Sequence, residues 1–350
     1  MKIRKGSYEH FADFFHDILP TGQFGQSLAE FSFGRMLYRG ESSGKFKLIP
    51  SALRENSWKV LGGNRFGSRE PLGAGEQVRF ENYKLWEFYK LSNEHGLKIK
   101  GSEIMKREYL TNNALSFGFQ DKEYTWLSAE YEELAALAQH YGIPTRMLDW
   151  TSDVFAAIYF AASGALKKWK ASYESGGFDC SDKMVIWILN GGLIHDMKKD
   201  FPLKLVVPPY YDNPNLNAQK GVLSYWEIVL PSRKEEDANS YGRGLPIDKR
   251  TVDEQLQAHD FGYDSDHLDM LYRVEIDINE CGYAYSVMNN LGYHAAKLFP
   301  GYDGVEKKLR EDSIWREFEV WLQQRKCKMC QESKENGDCS KFHDTNVEAE

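Results

Sequence analysis

Gln139-His140-Tyr141-Gly142-Ile143-Pro144-Thr145-Arg146-Met147-Leu148-Asp149-Trp150-Thr151-Ser152 lies between two apolar helical patterns. Upstream, Tyr131, Leu134, Leu137 and Ala138 recur at helical spacing until Gly142 and Pro144 end the pattern. Thr145 to Leu148 is then a short extended element. Thr151, Ser152 or Asp153 is placed to N-cap a long helix through Phe155, Ile158, Tyr159 and Ala162. The order helix, turn, strand, helix packs His140, Arg146, Asp149, Thr151 and Ser152 into one short segment. Amides at the start of the second helix, with its dipole, offer donors to an anion. So dense a polar cluster marks a ligand site; the alternative is a buried polar network in which His140 and Asp149 are satisfied internally.

Toward the start of the chain, Phe11, Phe14, Phe15, Ile18 and Leu19 predict an N-terminal helix that stops at Pro20. Met36-Leu37-Tyr38 reads as a strand running into Arg39 and Gly40. Arg39 places a permanently charged planar fork beside a residue that lets ligand or backbone come close, which suits a phosphate; a structural ion pair is the plainer alternative. Gly62 to Gly75 reads as a surface loop able to act as a lid, and Glu76 to His95 as a helix ended by Gly96. Met184 to Leu189 predicts a buried strand, Tyr272 to Ile278 a half-buried one by its alternation, and Val222 to Leu230 another. Pro208 to Gln219 and Ser232 to Lys249 read as long loops. A last helix is expected from about Val305 to Lys326. The fold class is α+β, a mixed sheet core with flanking helices. Its expected parts are an N-terminal helical segment (1–30), one domain with inserted loops (31–326) and a short tail (327–350).

Composition narrows the function classes. Hydrophobic residues make up 42% of the 350 and aromatics 14%, enough apolar surface to offset chain entropy. No apolar run approaches the roughly 20 residues of a membrane span, and the basic N-terminus leads into an amphipathic stretch rather than a signal-peptide core, so a cytoplasmic location and no membrane partner are expected. A net charge of −8 weighs against broad nucleic-acid binding and toward a nucleotide-type small molecule. Cys180 and Cys281 stand apart, whereas Cys327, Cys330, Cys339 and His343 form a Cys3His set in a charged tail. Zinc would give such a segment structure; reduced thiols in a flexible tail are the alternative.

Several segments together carry a family resemblance. Tyr38-Arg39-Gly40-Glu41, Leu48-Ile49-Pro50-Ser51, the run from His140 to Thr151 and Ala156-Ala157-Ile158-Tyr159-Phe160-Ala161 resemble the FRG family. Gln219-Lys220-Gly221 is similar to its Gln-x-Gly element, and Phe299-Pro300 followed by Asp303-Gly304 to its Phe-Pro…Asp-Gly element. Met147 stands where Leu is usual, and Val222-Leu223 lacks an expected Phe. The resemblance implies a bacterial or phage-related protein with a role in phage defence or growth arrest.

A second resemblance is to the Arg-Ser-Glu class of ADP-ribosyltransferases, in which an arginine strand, a Ser/Thr strand end and a later Glu hold NAD. Here Arg39, Thr151-Ser152, and Gln219 or Glu227 follow that order. The resemblance implies an NAD-handling site. Tyr38, Arg39, Gly40, Arg146, Thr151, Ser152 and Gln219 would hold the cofactor, Glu227 or Asp149 would stabilise an oxocarbenium-like state, and His140 would orient a ribose hydroxyl. The acceptor macromolecule, if any, is left open. Non-enzymatic nucleotide sensing is the alternative; a metal nuclease using His140 and Asp149 lacks an acidic pair at suitable spacing.

Overall fold

A computed structural model describes residues 3–30, 35–61, 70–100, 105–106, 124–175, 177–197, 201–210, 213–231, 245–261 and 269–335, with side chains described as far as Arg325. The strands are β1 (Arg4–Tyr8), β2 (Met36–Glu41), β3 (Tyr124–Trp126), β4 (Met147–Thr151), β5 (Lys183–Asn190), β6 (Leu203–Val206), β7 (Gly221–Trp226), β8 (Ile228–Leu230) and β9 (Leu271–Asp277). The helices used below are α1 (Phe11–Ile18), α2 (Gln23–Glu30), α3 (Trp58–Leu61), α4 (Ala74–Glu94), α5 (Glu132–His140), α6 (Val154–Ser175), α7 (Gly191–Asp196), α8 (Pro214–Ala218), α9 (Val252–Ala258), α10 (Cys281–Asn290), α11 (Ala295–Leu298) and α12 (Tyr302–Glu335).

Seven strands form one mixed sheet in the order β1-β9-β5-β2-β4-β7-β6, in which β1 and β9 are parallel and the other neighbours antiparallel. β3 and β8 make a separate pair. The continuous apolar run of β5 follows from its place between β9 and β2, where both faces are covered. β9 alternates instead: Tyr272, Val274 and Ile276 are buried against the α6 side, while Arg273, Glu275 and Asp277 face the other way, half-buried.

The α6 side is closed by α1, α6, α10 and α12, which share one core with Phe11, Phe14, Tyr159, Trp169, Tyr285 and Phe318. α6 approaches the sheet closely because its inner face is built from Ala156, Ala157, Ala161, Ala162 and Ala165, all essentially buried. Gly40 completes that fit, since a Cβ there would overlap the Ala157 carbonyl oxygen and crowd the Ala161 amide. The glycine of Tyr38-Arg39-Gly40 is thus required by strand-to-helix packing. A second core lies where α4 and α5 pack on β4 and β7, and a third on the opposite face around Leu148, Trp150, Trp187 and Leu271.

The structure departs from the sequence expectations in identifiable ways. The N-terminal segment is more than a helix: β1 precedes α1 and forms the sheet's parallel edge. β4 extends to Thr151 rather than stopping at Leu148. The expected strand Val222 to Leu230 is two strands, interrupted at Glu227, and the loop Pro208 to Gln219 contains α8, which Asn213 caps by accepting from the Leu216 amide. Ala74 and Gly75 already belong to α4, whereas residues 62–69 of the expected lid and 232–244 of the second loop lie outside the described residues. The last helix begins at Tyr302 and continues to Glu335, so the backbone of Cys327 and Cys330 is helical; Cys339 and His343 lie outside the described residues. No described helix is long and apolar enough to cross a membrane.

Candidate functional site

β2 runs beside β5 along its whole length but meets β4 at only one register position, Tyr38 opposite Thr151. Beyond that point the two strands part, and a cavity of about 300 Å3 opens between them. Its walls are Tyr38, Arg39 and Gly40 from β2, Asp149, Trp150 and Thr151 from β4, Phe160 from α6, Leu216 and Gln219 from the α8 turn, Gly221 to Leu223 from β7, and Phe299. Residues up to 261 positions apart in sequence are gathered here by the sheet order β2-β4-β7 and by α6 crossing beneath it.

Arg39 is the cavity's fixed cation, largely buried, with its guanidinium held from two sides. Its Nε donates to Glu41 Oε1 at 2.7 Å, and its Nη1 donates to the Asp149 backbone carbonyl at 2.8 Å, with Asp149 Oδ2 3.9 Å away. Three of its five N–H donors have no partner among the described residues. The Asp149 side chain is 69% exposed at the cavity mouth and accepts from Gln139 Nε2 at 2.7 Å. Gln139 is itself fixed by the Thr145 hydroxyl, which donates to its Oε1. Ser51, at the end of the Leu48-Ile49-Pro50-Ser51 element, exchanges hydrogen bonds with the backbone of Thr145. The carboxylate is therefore aimed by a chain of polar groups rooted in the second core.

The opposite wall is aromatic. Phe160 and Phe299 meet edge to face with centroids 6.1 Å apart, and the Lys307 ammonium sits 3.3 Å from the Phe299 ring centre. Burial, with the nearby Lys167 ammonium, pulls Lys307 down to about 8, against an opposing effect of Glu311. Gln219 ties this wall to β4: its Nε2 donates to the Leu298 carbonyl at 3.0 Å, and its backbone carbonyl accepts from the Thr151 hydroxyl at 2.6 Å. The Gln-x-Gly and Phe-Pro elements thus meet at one corner of the cleft.

Of the three residues placed to cap α6, the structure selects one. Asp153 is the cap: its Oδ1 accepts from the Phe155 amide, and its Oδ2 accepts from Lys220 Nζ at 2.7 Å and the Tyr293 hydroxyl at 2.9 Å. Burial alone would raise this carboxyl, but these donors hold it below the ordinary range. The same contact, after burial, pushes the Tyr293 hydroxyl up to about 12. Burial first, and then the Asp153 charge, also raises Tyr38. A carboxylate at the helix N-terminus already supplies the negative charge that the dipole favours, so no anion is expected there. The Thr151 hydroxyl is likewise committed, donating to Gln219 and accepting from the Asp153 amide. Ser152 faces a different cavity, which it lines with Arg35, Tyr38 and Lys220.

Three further residues named from sequence are not brought to the cleft. Arg146 is buried, donating from Nε and Nη2 to both oxygens of the equally buried Glu81 at 2.7 and 2.8 Å. That carboxylate also accepts from Trp126 Nε1 and Gln77 Nε2. His140 is exposed at the end of α5, its ring edge-on to Tyr141. Glu227, in the break between β7 and β8, pairs with Lys204 at 3.5 Å. Conversely, Gln139, Glu41, Phe160 and Phe299 shape the site without having been assigned roles from sequence. Glu41 carried a signal, since it sits two residues from Arg39 on the same strand face. Among the described residues no group of three metal-ligating side chains comes together.

Comparison with known proteins gives one match: residues 34–170 fit the model of the FRG domain. That span holds β2, β4 and most of α6, hence Arg39, Asp149 and Phe160, while Gln219 and Phe299 come from later in the chain. No curated protein and no solved structure matches.

Proposed function

Since the chain carries an FRG domain over residues 34–170, we propose that its cleft between β2 and β4 binds a pyridine-nucleotide-type ligand and acts on its N-glycosidic bond. The observation that carries this reading is the convergence of Arg39, Asp149, Gln219, Phe160 and Phe299 on one cavity of about 300 Å3. That volume is at the small end of ligand sites and suits a ring with its ribose phosphate, the rest of a dinucleotide lying toward solvent. The Arg39 N–H groups without a partner among the described residues would hold a phosphate, and the edge-to-face phenylalanines would take a flat ring. Asp149, rather than the distant Glu227, would then face the developing oxocarbenium charge. Arg146, His140, Thr151 and Ser152 take no part in this mechanism. NAD consumption by such a site would account for growth arrest or phage defence, the role that the FRG resemblance implies.

A non-enzymatic nucleotide sensor is the second reading, favoured by the Gln219 amide, which is turned onto the Leu298 carbonyl instead of into the cleft. Incubating the full chain with etheno-NAD separates the two. A fluorescence rise that falls about tenfold or more in both Arg39→Ala and Asp149→Asn supports cleavage. Thermal stabilisation by nucleotide without turnover supports sensing. If neither appears, and Arg39→Ala behaves as the parent does, both are refuted.

A further inference from the structure

The charges at the cleft are unevenly matched. Among the described residues, Arg39 and Asp149 are the only charged side chains in the lining, and Arg39 already pairs with Glu41. One guanidinium thus faces two carboxylates, and Asp149 Oδ2 lies 3.9 Å from Arg39 Nη1. Lys220 is engaged with Asp153, and Lys307 lies against Phe299 outside the lining. A polyphosphate placed on Arg39 would press its charge against Asp149. A ligand with less phosphate charge and a cation of its own, as oxidised NAD has with two phosphate charges and one cationic ring, would meet both groups more favourably.

We infer that Asp149, held by Gln139, is a specificity determinant that makes the cleft prefer ligands with a positively charged ring, the oxidised form of a pyridine nucleotide over the reduced one. This rests on the proposed nucleotide site and adds a sign to it. Gln139 is the positioning residue: its Nε2 donates to Asp149 Oδ1 at 2.7 Å and its Oε1 accepts from Thr145, which keeps an otherwise exposed carboxylate in one orientation. Because Asp149 is well exposed, solvent screens the effect, and the expected preference is modest.

The test is calorimetric titration of the full chain at low ionic strength with NAD, its reduced form NADH, and ATP. The expected result is NAD tighter than NADH by about three- to tenfold, with ATP weakest. Asp149→Asn brings NAD and NADH to parity, which separates ring charge from ring shape. Gln139→Ala narrows the ratio of NAD to NADH affinity. NADH binding as tightly as NAD to the parent, or a preference that survives Asp149→Asn, overturns the inference and leaves the nucleotide site standing. An unchanged preference in Gln139→Ala overturns the positioning role. If none of the three ligands binds, the proposed function falls with it.

Discussion

Replacing Arg146 by Met should unfold the protein more readily without touching its ligand chemistry. The Arg146 guanidinium makes two hydrogen bonds to Glu81, and both side chains are at most 5% exposed. Removing it leaves a buried carboxylate with only the Trp126 Nε1 and Gln77 Nε2 donors, at 2.7 and 3.0 Å. Stranding one member of a buried ion pair costs about 3–5 kcal/mol. At a urea slope of about 3 kcal/mol/M, the unfolding midpoint should fall by about 1 M or more. Adding Glu81→Leu removes the stranded charge and should recover much of the loss, less about 1–2 kcal/mol for the tryptophan and glutamine donors left behind. Nucleotide affinity of the folded fraction should stay within about twofold of the parent. A loss below about 1 kcal/mol, or normal stability with abolished binding, would refute the structural assignment of Arg146.

Gly40→Ala forces a methyl group into the α6 backbone and should cost about 1–3 kcal/mol in thermal or urea unfolding; a neutral result would mean that α6 does not pack against β2 at that point. Asp153 is held below its ordinary value of 3.8, so its contribution to stability is present above that pH and is lost as pH falls through the folded value. Asp153→Asn should therefore lower the urea midpoint at neutral pH, with the gap to the parent closing below pH 3.8; an equal gap at both pH values refutes the ionic role of this cap. For Cys327, Cys330, Cys339 and His343, elemental analysis of the full chain is expected to give about one zinc, and a metal-free native protein rules out a structural site.

Elements with strong periodicity were legible in the sequence. α5 and α6 follow from the spacing of Leu134, Ala138, Ile158 and Ala162 and from Gly142, which takes a left-handed φ of 85° at the end of α5. β1 was not legible, because an edge strand such as Arg4-Lys5-Gly6-Ser7-Tyr8 need bury little and shows no clean alternation. In the site, Tyr38-Arg39-Gly40, Asp149 and Gln219 do reach one cavity. The partner of Arg146 lies 65 residues away, and nothing local distinguishes a guanidinium that meets ligand from one that meets Glu81. At the start of α6 the cap was narrowed in the sequence to Thr151, Ser152 or Asp153; Asp153 takes it, and Lys220 and Tyr293 converge on its carboxylate from other elements. Phe160 and Phe299 stand in the sequence only within motifs and carry no role there; the parting of β2 from β4 turns them into a cavity wall.

A nucleotide site in the gap between β2 and β4, anchored on Arg39, fixes where a bound phosphate must lie. A crystal structure of the full chain with saturating NAD reads that position. A phosphate within hydrogen-bonding distance of the Arg39 guanidinium, with a ring against Phe160 and Phe299, is the expected result. Nucleotide bound elsewhere, or a cleft still empty at saturation, would contradict it.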